Sequence, residues 1–390
     1  MEPKACVAPS PDLDRARDRD RGHSAVRIRI WVRARIALCS RAPAPRRSAP
    51  QQRSTRRIRR NTGAVIMKEA DDVVLLVLGL IALTGLLLAF DYARDRGWLS
   101  SVRHRIAGEL VVITGAAGGL GRELAVEFSR RGAVLALWDV RATALEDLAA
   151  CLIREHNVPI GSIHTRVVDV ADSDAVAAAA TEQRSALGPA RVVVSNAAVV
   201  YGQSVMEARP AAVTAAFGVN VLGHFWCARA FLPQMLQAGA QPGGVFVTTG
   251  SLMAELPAAR LADYCASKAA LKQLHECLRW ELHCLGERAR HVRVCHVQPY
   301  LIETPLFEGG TPLKYAWMRP LVPPLRASTV AQRTACAVEC GRERLVLPWV
   351  FKWLPPLLQC MPAGLRDAAL VLAGASGAME GFTGRNTFAR

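Results

Sequence analysis

The chain has 390 residues, 51% of them hydrophobic and 21% charged, with a formal net charge of +16. Residues 1–66 carry +12 of that charge, holding 17 Lys and Arg against five Asp and Glu. Basicity confined to one terminal arm excludes a chain that grips nucleic acid along its whole surface, and the apolar remainder excludes wholesale disorder.

Residues 1–66 are rich in Arg, Ser and Pro, carry no acid between Asp20 and Glu69, and show no core-forming pattern. Disorder is the expectation. Three readings stay open: an acid-poor mitochondrial transit segment, a polybasic arm for anionic membrane or RNA, and upstream sequence with Met67 as the true start. Trp31 is the arm's one aromatic, which weighs against RNA, so no nucleic acid partner is expected. Met67 begins a complete anchor arrangement, which favours the third reading.

That anchor is residues 73–90, VVLLVLGLIALTGLLLAF, 18 residues without a charge. As a helix it spans about 27 Å, against a hydrocarbon core of about 30 Å. A soluble core helix of this length would show a polar face; this run has none, so a transmembrane helix is expected within an anchor and linker, residues 67–104. Lys68 with Glu69, Asp71 and Asp72 precede it, and Arg94, Arg96, Arg103 and Arg105 follow it. If translation starts at Met67, the excess of positive charge on the trailing side places the rest of the chain in the cytosol.

From residue 105 onward, β-branched apolar runs alternate with Ala- and Leu-rich stretches: residues 110–114, 133–138, 162–170, 191–195, 244–249 and 292–297. Short, nearly all-apolar strands separated by helices indicate an α/β domain with a doubly wound parallel sheet covered on both faces. The first strand runs into Thr114-Gly115-Ala116-Ala117-Gly118-Gly119-Leu120-Gly121 and then a helix. Glycines there let backbone N–H groups and a helix N-terminus approach a pyrophosphate. Asp139 ends the second strand, 24 residues beyond Gly115. A carboxylate at that spacing accepts from adenosine ribose hydroxyls and repels a 2′-phosphate, favouring NAD over NADP; Arg141 tempers that preference. The competing role for Asp139 is a helix N-cap.

Tyr264 and Lys268 stand four apart in a helical run, so phenol and ammonium line one cleft. A nearby Lys⁺, together with a positive nicotinamide ring, favours the phenolate and lowers the tyrosine pKa. Ser251, 13 residues before Tyr264, follows a strand and can meet a substrate oxygen; an N-cap serine is its alternative role. The 11 cysteines include no C-x-x-C pair and are odd in number, so reduced, mostly buried thiols are expected rather than disulfides or zinc ligands. His224, His275, His283, His291 and His296 lack ligand spacing with a partner carboxylate or cysteine, and no metal site is expected. Residues 345–362, LVLPWVFKWLPPLLQCMP, hold four prolines and cannot form one spanning helix. Trp349 and Trp353 beside Lys352 suit a membrane interface, the lip of an apolar pocket, or ordinary packing.

Together these motifs resemble the short-chain dehydrogenase/reductase superfamily, over nearly all of residues 105–311. T-G-x-x-x-G-x-G matches Thr114, Gly115, Gly119 and Gly121, with Leu120 inside the loop. Y-x-x-x-K matches Tyr264 and Lys268, with Ser251 as the catalytic serine. The resemblance further assigns Asp169 and Val170 to adenine, Asn196 to the N-A-G-type motif and Asn220 to the structural helix asparagine. It gives Pro299, Ile302 and Thr304 to the segment that grips the nicotinamide carboxamide. Ser195 replaces the usual first Asn of N-N-A-G, and Tyr300 the usual Gly after Pro299.

Tyr300 and residues 196–200, 224–226, 230–233 and 347–349 look most like the membrane-anchored retinol dehydrogenase and retinal reductase branch. The resemblance implies a single Rossmann-type catalytic domain at residues 105–311. It also implies a substrate-lid and membrane-facing segment at 312–390, an NAD or NADP cofactor, and hydride exchange with a lipophilic alcohol. In it Tyr264 moves the proton, Lys268 holds the ribose, Ser251 orients the oxygen and Asn220 positions a relay water. Retinol and retinal come first as substrates, with steroids and fatty aldehydes as alternatives. A regulatory subunit of another retinoid dehydrogenase is the competing class, and a homo- or hetero-oligomer is expected. The implied location is the endoplasmic reticulum membrane or a lipid droplet, and a mitochondrial one only if residues 1–66 are a transit segment.

Overall fold

A computed structural model describes residues 78–79, 81–93, 105–238, 243–309, 323–377, 379 and 381–383. The basic arm, residues 1–66, lies outside them, as do residues 73–77 and 80 of the expected span. The chain divides into two units, Met1–Thr84 and Gly85–Arg390. Helix is described at residues 78–79 of the apolar run and over α1, Ile81–Ala93. Within the second unit, Leu86, Leu87 and Phe90 of this helix are exposed.

The remaining elements alternate as the apolar runs require. In order they are β1 Leu110–Thr114, α2 Gly119–Arg130, β2 Val134–Asp139, α3 Ala142–His156, β3 Ile163–Val167, α4 Ser173–Leu187 and β4 Val192–Ser195. Then come α5 Pro210–Phe217, a π-helical turn Gly218–Leu222, α6 Gly223–Gln237, β5 Gly244–Thr249, α7 Ala262–Cys284 and β6 Val292–Pro299. The C-terminal part holds β7 Ile302–Glu303, β8 Leu325–Arg326, α8 Ala327–Glu339, β9 Arg344–Leu347, α9 Leu354–Gln359 and α10 Ala363–Leu372. Seven parallel strands form one sheet in the order β3-β2-β1-β4-β5-β6-β9, and β7 pairs with β8 apart from it.

Successive side chains of a strand point to opposite faces, so strands apolar throughout must be covered twice. Val111, Ile113, Val192, Val194, Val245 and Val247 pack on one face against α2, α3 and α8. Leu110, Val112, Trp138, Val193 and Phe246 pack on the other against α4 and α6. Chain order reverses at β1, which pairs with β2 on one side and β4 on the other. The crevice beyond the carboxyl ends of these strands is where such sheets bind ligands.

Six strands were expected and seven are present. Leu345, Val346 and Leu347 do not begin a membrane-facing tail: they pair with Val297, Gln298 and Pro299 and are buried. Pro348 then ends the strand. The apolar run Pro210–Gln237, 28 residues with mean hydropathy 1.4, has the length and composition of a membrane span. Its Cys227, Ala228, Phe231 and Met235 instead bury against the sheet. The nine described cysteines are all free, but Cys277, Cys284 and Cys360 are exposed, against the expectation of general burial.

Candidate active site

The site grows from the end of β1. Thr114 is fully buried, and its hydroxyl accepts from the backbone N–H groups of Asn196 (2.9 Å) and Ala197 (3.2 Å). The Asn196 amide donates back to the Thr114 carbonyl at 3.1 Å. These bonds lock the end of β1 to that of β4 at the crevice.

Gly115 takes the left-handed conformation (φ +62°), which turns the chain toward α2. A Cβ on Gly121 would stand 2.1 Å from the Gly115 carbonyl oxygen, and one on Gly119 2.8 Å from Thr304. The loop thus accepts no side chain at either place and brings its backbone, the α2 N-terminus and Thr304 together. Leu120 packs beneath it, and Ile302 buries beside Thr304.

Asp139 does not cap α3. Its Oδ2 accepts from the Ala117 N–H of the loop at 3.0 Å. Its Oδ1 accepts from Arg141 N (3.1 Å) and Nε (3.0 Å). The acid is buried, and the guanidinium that pairs with it is half-buried. Val170 packs its side chain against Gly223, whereas Asp169 is exposed with Oδ1 on the Ala171 N–H.

At the far side Tyr264, on the first turn of α7, is 4% exposed. Lys268 lies one turn on, its Nζ 5.7 Å from the Tyr264 ring centre and donating to the Thr249 carbonyl at 2.8 Å. Ser251 caps the short turn that follows it, its Oγ accepting from Met253 N at 3.1 Å, and its hydroxyl neighbours the Tyr264 phenol.

The expected electrostatics differ. Burial pushes the Tyr264 phenol well above its ordinary value, and the Ser251 hydroxyl opposes the shift. Burial also lowers Lys268 to about 7. Desolvation therefore disfavours both charges of the pair.

Asn220 sits in the π-helical turn, where its Oδ1 accepts from Val199 N at 2.8 Å. Its Nδ2 donates to the Val199 carbonyl (3.0 Å) and to Ser267 Oγ (3.1 Å), and Ser267 donates to the Tyr264 carbonyl. The side chain thus ties the β4 exit to the tyrosine's own helical turn. Tyr300, in place of the family's glycine, stacks on Phe351 with ring centres 5.0 Å apart.

His224, His275 and His296 are buried near this machinery, and desolvation lowers all three, His275 to about 4. The unfolded chain then binds a proton at His275 between about pH 6.5 and 4 that the folded chain refuses. The stabilisation is complete above pH 6.5 and is lost as pH falls toward 4. At pH 5 that amounts to about 2 kcal/mol, and a melting temperature several degrees lower than at pH 7.5 is expected. An unchanged melting temperature by circular dichroism would contradict a neutral buried imidazole.

Among the described residues one group of ligand-type side chains converges, Cys151, Glu155 and His156 on α3. Burial and Glu155 raise the Cys151 thiol, opposite to what a thiolate ligand needs.

The crevice fits a nicotinamide dinucleotide: the glycine loop leaves backbone and helix N-terminus open where side chains would collide, with an acid at the end of β2. The family model described as short chain dehydrogenase matches residues 109–312. Retinol dehydrogenase 10-A of Danio rerio is 31% identical over 271 residues, 64% of this chain and 78% of that one. Short-chain dehydrogenase/reductase 3 of Homo sapiens is 33% identical over 282 residues, 72% of this chain and 88% of that one. A short chain dehydrogenase/reductase from Burkholderia phymatum, solved in complex with NAD, superposes with a TM-score of 0.57 at 26% identity. That match covers 66% of this chain and 94% of the other. The chain therefore belongs to the short chain dehydrogenase family, an oxidoreductase that acts on alcohol and carbonyl groups with NAD or NADP.

Proposed function

We propose that this enzyme interconverts a lipophilic alcohol and its carbonyl at a membrane, with retinol and retinal as the first substrate pair. The observation that carries the reading is Tyr264, buried among apolar residues with Ser251 and Lys268 as its polar neighbours. The dinucleotide, when bound, supplies the hydride acceptor or donor. The loop from Thr114 to Gly121 and the α2 N-terminus hold the pyrophosphate. Asp169, Pro299, Ile302 and Thr304 serve the two ends of the same ligand.

Tyr264 holds the mobile proton on its phenolic oxygen, and Ser251 orients the substrate oxygen beside it. Lys268, one turn from Tyr264, holds the ribose of the dinucleotide. Asn220 is a positioning residue for the Tyr264 turn.

Membrane attachment draws support from the apolar helix α1 and from Val350, Trp353, Leu357, Leu365, Val371 and Leu372, all exposed in the C-terminal segment. Trp349 Nε1 donates to Asp91 Oδ2 at 3.0 Å and Lys352 pairs with the same carboxylate, tying the end of α1 to that segment. Retinol dehydrogenase and short-chain dehydrogenase/reductase names among the relatives agree with a retinoid. The endoplasmic reticulum, with the catalytic domain in the cytosol, is the proposed site of action.

The full chain in microsomes, assayed with NAD plus retinol and NADPH plus retinal, tests this. Retinoid turnover with either cofactor is expected, faster with NAD; silence in both overturns the retinoid assignment. Asp139 is the proposed cofactor selector. Asp139→Ala should free the Arg141 guanidinium and move the NADP-to-NAD ratio of kcat/KM up by about tenfold or more. An unmoved ratio would remove Asp139 from that role.

A further inference from the structure

Beyond α10 the chain turns back onto the catalytic face. Met379 is 4% exposed and shares one buried cluster with Val200, Leu261 and Tyr264, against which Phe307 and Phe382 pack. The Phe307 ring meets Tyr264 edge-on at 5.7 Å.

The tail is held where it lies by backbone and by shape. The N–H of Ala259, in the loop that launches α7, donates to the Ala375 carbonyl at 3.2 Å. Thr383 donates to the Glu308 carbonyl from its N–H (3.1 Å) and its hydroxyl (3.3 Å). The Phe382 ring occupies space that a Cβ on Gly202 would enter at 2.2 Å, and Gly202 has a φ of +64°. Glycine is thus the residue that lets the ring sit there.

The side chains around the phenol from this direction are a thioether, two aromatic rings and aliphatics. They offer no donor or acceptor to a charged or heavily hydroxylated substrate, which would be desolvated without compensation. They do match hydrocarbon, and methionine adapts its shape to what it touches.

We propose that Met379 and Phe382 are specificity-determining residues, the apolar wall against which the hydrocarbon of an alcohol lies when its hydroxyl reaches Tyr264. This rests on the reading of the site as an alcohol–carbonyl oxidoreductase. It adds that Met379 and Phe382 select the substrate.

The test is retinol binding without turnover, followed by retinol fluorescence on the full chain in lipid nanodiscs loaded with NADH. Met379→Ala and Phe382→Ala are each expected to weaken retinol by about tenfold, the scale of a lost apolar contact. A chain ending at Gly377 should weaken it further. NADH affinity within twofold of the native chain certifies the fold of each variant, because the glycine loop is untouched. Unchanged or tighter retinol binding in folded variants overturns the wall and makes the tail a bystander or a plug. No saturable binding to the native chain overturns it too. Retinol that binds to a native chain which turns over no alcohol or carbonyl counts instead against the oxidoreductase reading.

Discussion

Replacing Tyr264 by Phe should lower kcat by about a thousandfold while leaving dinucleotide affinity within about twofold. General acid–base catalysis contributes roughly 10²–10⁴ in rate, and the phenolic oxygen is the group in this cleft with both reach and a mobile proton. Burial raises the pKa of that phenol and the neighbouring Ser251 hydroxyl opposes the shift. Stability should change by less than about 1 kcal/mol, since Phe keeps the packing with Met379 and Phe307 and only one hydrogen bond is lost. Stopped-flow turnover beside isothermal titration with NADH separates the two quantities. Retention of more than a tenth of native turnover would move the proton donor elsewhere, to Ser251 first.

The second large effect is expected at Gly121→Ala. The added Cβ would stand 2.1 Å from the Gly115 carbonyl oxygen and 2.8 Å from the Ala116 Cα. Both are backbone atoms, so no rotamer relieves the collision and the loop itself must move. Dinucleotide affinity should fall by about a hundredfold, with a loss of roughly 1–3 kcal/mol in stability. Gly161→Ala is the matched control, because a Cβ there meets nothing within 4 Å. Native-like NADH affinity in Gly121→Ala would mean that the loop does not hold the pyrophosphate.

Six of the seven strands were readable because each is a short β-branched run, and burial on both faces demands that composition. The seventh escaped because Leu345-Val346-Leu347 merges in sequence with the Pro- and Trp-rich stretch after it. Only its pairing with Val297, Gln298 and Pro299 makes it a strand. In the site, the positions of Ser251, Tyr264 and Lys268 follow from a strand end and one helical turn, and these are local geometry. The burial that raises the Tyr264 phenol is a property of everything packed around it, and no spacing reports it. The same holds for Asn220, whose amide is spent on Val199 and Ser267, residues that its own helix does not bring near.

What the sequence by itself determined is therefore what short-range periodicity and steric demand dictate: the alternating elements, the glycine loop, the tyrosine–lysine turn and the class of chemistry. The tertiary structure alone decided which distant segments meet. It set β9 on the sheet edge, the Ala117 N–H on the Asp139 carboxylate, Phe351 on Tyr300, and Met379 in the cluster that buries Tyr264. The physical reason is that an apolar residue specifies burial without specifying its partner. The partner is chosen by closing long loops so that all apolar faces are covered at once, and that condition belongs to the whole chain.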